Sequence, residues 1–174
     1  AFLKTRVPLF AAFSEERLAA LVEGSRVASF EPNEAVAEYG SRLANFGVVL
    51  DGAVAASVMA DGGARQELGR FDAGMTFGEL ALMTGDALTH DLIAETRCEA
   101  LLIPVGLFQS VIAVEPRAVQ HISRTISERF KYIMADPSKA AAAFRQGDDP
   151  YGLKLKGERP EHILVVNCGS SSLK

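Results

Sequence analysis

The strongest constraint on this chain is a series of short apolar runs between residues 26 and 104, each cut off by turn-forming residues. The runs read RVASF, EAVAEY, FGVVL, AVAASVMA, RQELGRF, DLIAET and CEALLIP. Between them stand Pro32-Asn33, Gly40-Ser41, Asp51-Gly52, Asp61-Gly62-Gly63 and Asp72-Ala73-Gly74. Short strands at such even spacing predict an antiparallel sandwich, barrel or jelly roll.

Helical signals flank this region. In FSEERLAALVEG (13–24) Ser14 is placed to cap, Glu15 and Glu16 suit the positive helix end, Phe13 can staple onto Leu18, and Gly24 ends the helix. After the strands, PVGLFQSVIAVE predicts one short helix with Pro104 in its first turn. Pro116 then opens PRAVQHISRTISERFKYIMA, where Val119, Ile122, Ile126, Phe130 and Ile133 recur at steps of three and four. That stripe needs a partner, either the chain's own sheet or the same helix of a second copy, so a homodimer through residues 116–134 is expected. Residues 136–161 mix Pro, Gly and charge around four alanines and read as a linker with a helical stub at its start. The expected organisation is a domain over 1–134, a linker over 135–162 and the opening of a further unit over 163–174.

Composition narrows the function. With 174 residues, 48% hydrophobic, the chain can bury one domain with something left over. A net charge of −4 provides no basic face for a nucleic-acid backbone, so DNA is not an expected partner. No long apolar run and no signal-peptide pattern occurs, which predicts a cytoplasmic protein without a membrane partner. Cys98 and Cys168 share no metal-ligand spacing with His90, His121 or His162, so neither a metal site nor a disulfide is expected.

Residues 7 to about 134 resemble the cyclic nucleotide-binding domain family, the sensor module of the catabolite activator protein and of cyclic-nucleotide-regulated kinases. The resemblance rests on the leading helix, on YGSRLANFGVVLDGAVAAS with Gly40 and Gly52 at turns, on LGRFDAGMTFGELALMTG, and on the closing helix pair. FGELAL is its most specific element. The resemblance implies a mainly β fold with flanking α, an eight-stranded jelly roll (double-stranded β-helix) with an N-terminal helix and a C-terminal helix pair.

It also implies a ligand cassette: Phe-Gly-Glu, an apolar turn, and then Pro-Arg-[Ser/Thr]-Ala, in which the glutamate takes the ribose 2′-hydroxyl and the arginine the cyclic phosphate. Gly78, Glu79, Leu80, Ala81, Leu82 and Thr89 fit that pattern. Ala87 replaces Pro, Leu88 replaces Arg and His90 replaces Ala. Losing a charge-assisted arginine partner costs a bound anion about 2–5 kcal/mol. Tight binding of cAMP is therefore not expected, and the candidate ligand residues are Gly78, Glu79, Leu80, Leu88, Thr89 and His90. A protonated His90, or Arg65 or Arg70 from a neighbouring strand, could supply the missing charge, or the ligand could be a different nucleotide or metabolite. Ser123, Arg124 and Thr125 on the long helix could reach a base. The alternative is a degenerate pocket in a dimerising or docking domain.

A second resemblance lies at the other end. LVVNCGSSSLK (164–174) resembles the opening signature of acetate kinase, an apolar strand followed by Asn-x-Gly-Ser-Ser-Ser-x-Lys. It implies that Asn167, Gly169, Ser170, Ser172 and Lys174 belong to an acyl-kinase active site, with Asn167, Ser170, Ser172 and Lys174 as candidate catalytic residues in a complete enzyme using ATP and Mg. Small residues expose backbone N–H groups to a phosphate, and Lys adds charge. One strand and one turn cannot form that cleft. The expectation is a piece of a longer protein in which a regulatory module precedes an acetate-kinase-like domain, with no cofactor bound by the piece itself.

Overall fold

The computed structural model describes residues 1–60 and 62–145, with the backbone alone at 144 and 145. The segment 146–174, including the kinase-like signature and its Asn167, Gly169, Ser170, Ser172 and Lys174, lies outside the described residues.

Each of the seven apolar runs contains a strand. They are β1 (Arg26–Phe30), β2 (Ala35–Ala37), β3 (Asn45–Asp51), β4 (Ala53–Met59) and β5 (Arg65–Asp72), then β7 (Asp91–Ala94) and β8 (Cys98–Pro104). Between them lies β6, only Thr76–Phe77, too short to leave a pattern in the sequence. The strands form two four-stranded antiparallel sheets, in the orders β1-β8-β3-β6 and β2-β7-β4-β5. This is the mainly β jelly roll with flanking helices that the run spacing and the family resemblance led one to expect.

The first sheet is covered on both faces, and alternation along its central strands shows how. Phe46 and Val48 of β3, with Leu101 and Ile103 of β8, enter one apolar cluster. Val49 of β3, with Cys98, Ala100 and Leu102 of β8, enters the other. Successive side chains of a strand point to opposite faces, so a strand buried on both reads as a continuous apolar run. That is why CEALLIP shows no polar alternation.

Helices cover the outer face of that sheet. The chain begins with α1 (Phe2–Arg6), a 3-10 turn over Pro8–Phe10 and α2 (Glu15–Glu23). Ser14 caps α2 by accepting a hydrogen bond from the Arg17 N–H at 3.3 Å, and Gly24 ends it, as the sequence signals require. After β8, α4 (Val105–Leu107) runs into a π-helical turn over Phe108–Ile112. Phe108 is fully buried, with its ring 5.0 Å from that of Phe46. At Gly47 a Cβ would stand 1.9 Å from the Phe77 ring, so only glycine lets β3 and β6 approach there.

The long helix is α5 (Pro116–Met134), with proline in its first turn. Its stripe divides between the two clusters: Ala118 and Ile122 pack in the first, and Ile133 in the second. A sixth helix, α6 (Pro137–Arg145), follows and packs on β4, β5 and α5. Ala142 and Ala143 are buried in the second cluster. The helical stub is thus a full helix that extends the packed domain past Met134 into the segment read as linker. No helix among the described residues is long and apolar enough to cross a membrane.

Candidate functional site

The FGELAL stretch forms a sharp corner. β6 ends at Phe77, Gly78 takes φ +91°, and α3 (Glu79–Thr84) begins immediately. A side chain at Gly78 would adopt a strained left-handed conformation and stand 2.8 Å from the Leu43 Cδ1 atom. The corner turns Glu79 inward until it is 2% exposed. A carboxylate that deep must be partnered to stay charged.

Glu79 has such partners. Its Oε1 accepts a hydrogen bond from the Thr76 hydroxyl. Its Oε2 accepts one from Arg129 Nη1 at 2.7 Å, across from α5. Arg129 Nη2 also donates to the Thr76 carbonyl at 2.6 Å, and the guanidinium lies 4.6 Å from the centre of the Phe71 ring. One arginine thereby ties α5 to the β6–α3 corner through an ion pair, a backbone bond and a cation–π contact. A carboxylate offers about four acceptor sites, so Glu79 still has capacity for a further donor.

The second half of the cassette is held from the backbone. Leu88 N–H donates to the Ser41 carbonyl at 2.9 Å, and the Leu88 carbonyl accepts from Gly40 N–H at 2.8 Å. The Leu88 side chain is 4% exposed and packs in the second core cluster. It therefore presents an apolar surface at the position where the resemblance implies arginine. Thr89 Oγ1 and His90 Nδ1 lie 3.4 Å apart. Burial pushes the His90 pKa down to about 4, with Arg129 adding to the effect and Asp91 opposing it. Burial thus favours the neutral imidazole, which counts against His90 as a ready cation.

These residues surround a cavity of about 430 Å³, within the size range of small-molecule sites. Gly78, Glu79, Leu80, Leu88, Thr89 and His90 all line it. Leu68, Phe71 and Leu92 contribute from the second sheet, and Thr125, Ile126, Glu128, Arg129, Tyr132 and Ile133 close it from α5.

The strand arginines do not supply the missing charge. Arg65 turns to Ser57 and Asp91, both at 2.9 Å. Arg70 reaches the cavity wall but is held by Asp72 at 2.9 Å and Glu95 at 2.8 Å, and these acids raise its pKa. Of the polar trio on α5, Thr125 lines the cavity, whereas Ser123 and Arg124 are exposed.

Sequence reasoning missed Arg129. The signal was present: Ile122, Ile126, Arg129 and Ile133 follow steps of four, three and four, so Arg129 stands on the apolar face of its helix. A charge in that place needs a buried partner. No cluster of potential metal ligands occurs among the described residues.

Residues 27–115 match the family model described as the cyclic nucleotide-binding domain. No curated protein matches the chain. Among solved structures, a regulatory subunit of a cAMP-independent protein kinase A from Trypanosoma brucei superposes with a TM-score of 0.66 at 20% identity, over 77% of this chain and 48% of that one. The regulatory domain of Toxoplasma gondii protein kinase A, crystallised with cAMP, gives 0.64 at 22% identity, over 73% and 48%. A cAMP-independent counterpart from Trypanosoma cruzi, bound to guanosine, gives 0.66 at 17% identity, over 80% and 50%. The chain thus spans about half the length of each of these structures.

Proposed function

This chain belongs to the cyclic nucleotide-binding domain family, and on that premise we propose that the cavity is the ligand site of a regulatory domain that senses a nucleotide or a related ribose-bearing molecule. One observation carries the reading: Glu79 is a buried, partnered carboxylate with spare acceptor capacity, facing a cavity of about 430 Å³. A ribose diol is a suitable donor to such a group. Gly78, Leu80, Thr89 and His90 complete the wall beside it. Relatives of this fold have been crystallised with cAMP and with guanosine, so the ligand class is supported by chemistry on both sides of the phosphate question.

The output of the domain follows from α5. Arg129 holds the end of that helix to Glu79, so a ligand that engages Glu79 shifts the balance of contacts on the helix. In the full protein, the regulated unit is an acetate-kinase-like acyl phosphotransferase, with Asn167, Ser170, Ser172 and Lys174 at its ATP- and Mg-dependent site. This part rests on the sequence pattern of residues 163–174 alone. A further unit over 163–174 and a homodimer through α5 belong to the same proposal, with the linker beginning after α6 rather than at residue 135, because α6 packs on the domain. A second reading, a docking domain with a dead pocket, draws on the burial of Leu88.

Isothermal titration of the chain with adenosine, guanosine, their 3′,5′-cyclic monophosphates and the matching 2′-deoxynucleosides separates the readings. Binding by a ribose-bearing member, lost in its deoxy partner, is expected. Flat isotherms for every compound would favour the dead pocket.

A further inference from the structure

Building on the ligand-site reading above, we infer that the cavity selects an uncharged nucleoside over the same nucleoside carrying a phosphate. The charges of its wall carry the inference. Glu79, Asp86 and Glu128 line the cavity against two cations, Arg70 and Arg129, so its wall is acidic. Both cations are engaged. Arg129 is consumed by Glu79 and the Thr76 carbonyl, and Arg70 by Asp72 and Glu95. Lys139 donates to the Tyr132 hydroxyl at 2.6 Å on α6 and is not among the lining residues.

Around Leu88, where the resemblance implies the phosphate-binding arginine, the lining offers Asp86, Ala87, Thr89 and His90 but no lysine or arginine, and the Leu88 side chain is packed into the core. A phosphate entering this space gives up its hydration and meets no unpaired cation among the lining residues, since Arg70 would have to leave Asp72 and Glu95 to reach it. Redirecting Arg129 to the phosphate would leave Glu79 as an uncompensated buried carboxylate, so that route exchanges one unpaired charge for another. A nucleoside meets neither penalty. Its hydroxyls donate to Glu79, its base lies against Leu68, Phe71 and Ile126, and no charge enters. Loss of a cationic partner for a buried anion typically costs about 30-fold or more in affinity.

The test compares guanosine and adenosine with their own 3′,5′-cyclic monophosphates on the unmodified chain, by titration calorimetry at fixed salt. The expected result is at least about tenfold tighter binding of the nucleoside. The neutral methyl phosphotriester of the cyclic compound, nearly the same in shape but uncharged, is expected to recover part of the loss. Equal or tighter binding of the charged cyclic monophosphate overturns the inference and leaves the ligand-site reading intact. A triester as weak as the charged parent also overturns it, because size rather than charge would then be selecting. Absence of binding by every compound removes both readings together.

Discussion

The two halves of α5 are held by the same kinds of contact placed in different surroundings. At its start, Glu115 pairs with Arg17 of α2 at 2.7 Å, with side chains 24% and 40% exposed. Beside that pair, Ala118 and Ile122 sit in a buried apolar cluster with Leu9, Phe10 and Phe108. Toward its end, Arg129 pairs with Glu79 at the same 2.7 Å, but the carboxylate is 2% exposed and a cavity lies beside it. Packing fixes the first half, and its ion pair is an exposed addition. In the second half Ile133 also packs, but a buried ion pair adds to that packing, and the space beside it is open to a ligand. The helix is therefore built with one end anchored and the other able to respond to what the cavity contains.

The largest effect that would sharpen this contrast is expected at Ile122, which is 1% exposed. Ile122→Ala removes a side chain from close packing and should cost about 3 kcal/mol, read as a lower midpoint in urea. Nucleoside affinity in the folded fraction should stay unchanged. A stability loss under about 1 kcal/mol would mean that the first half is not the anchor.

Next comes Arg129→Ala, which leaves Glu79 buried without its cation. Breaking a buried pair from one side typically costs about 3–5 kcal/mol, and the partial exposure of Arg129 brings the expectation here to about 2 kcal/mol. The pair Glu79→Gln with Arg129→Met removes both charges and should recover more than half of that loss. Arg17→Ala, which breaks the half-exposed pair at the other end, should cost under about 1 kcal/mol. If Arg17 and Arg129 prove equally costly, the two ends do not differ as described.

How much of this contrast was legible beforehand depends on the length scale of each signal. Strands β1, β3, β4, β5 and β8 announced themselves because apolar runs and turn residues are local features. The same holds for the Ser14 cap and Gly24 end of α2. β6 escaped because its Thr76–Phe77 length is below any period. The corner at Gly78 and the inward Glu79 were visible through resemblance, and so was the substitution at Leu88. The partner of Glu79 was not, because Arg129 lies fifty residues away along the chain and only the closed fold brings them together. Arg65 and Arg70 looked equally available from sequence, yet Asp72, Asp91 and Glu95 claim them. His90 looked like a possible cation because burial cannot be read from a residue type.

His90 yields the smallest effect, and its sign follows from its surroundings. Burial is the main cause of its low pKa, about 4 in the folded chain, with Arg129 adding and Asp91 opposing. Unfolded, the group titrates near its ordinary value of about 6.5. The unfolded state therefore takes up the proton first as pH falls. The stability that a neutral His90 represents is fully present above about pH 6.5 and is lost as pH falls toward 4. Between pH 6.5 and 5 the loss should be about 1.5 kcal/mol. His121, on the first half of α5, is also lowered, by burial and then by Arg124, so the control must retain it. Urea midpoints of the wild type and His90→Gln at both pH values isolate the effect, and the difference between their slopes is the measurement. An equal slope in both proteins would place the pH response elsewhere, and the cavity end of α5 would lose its distinction from the anchored one.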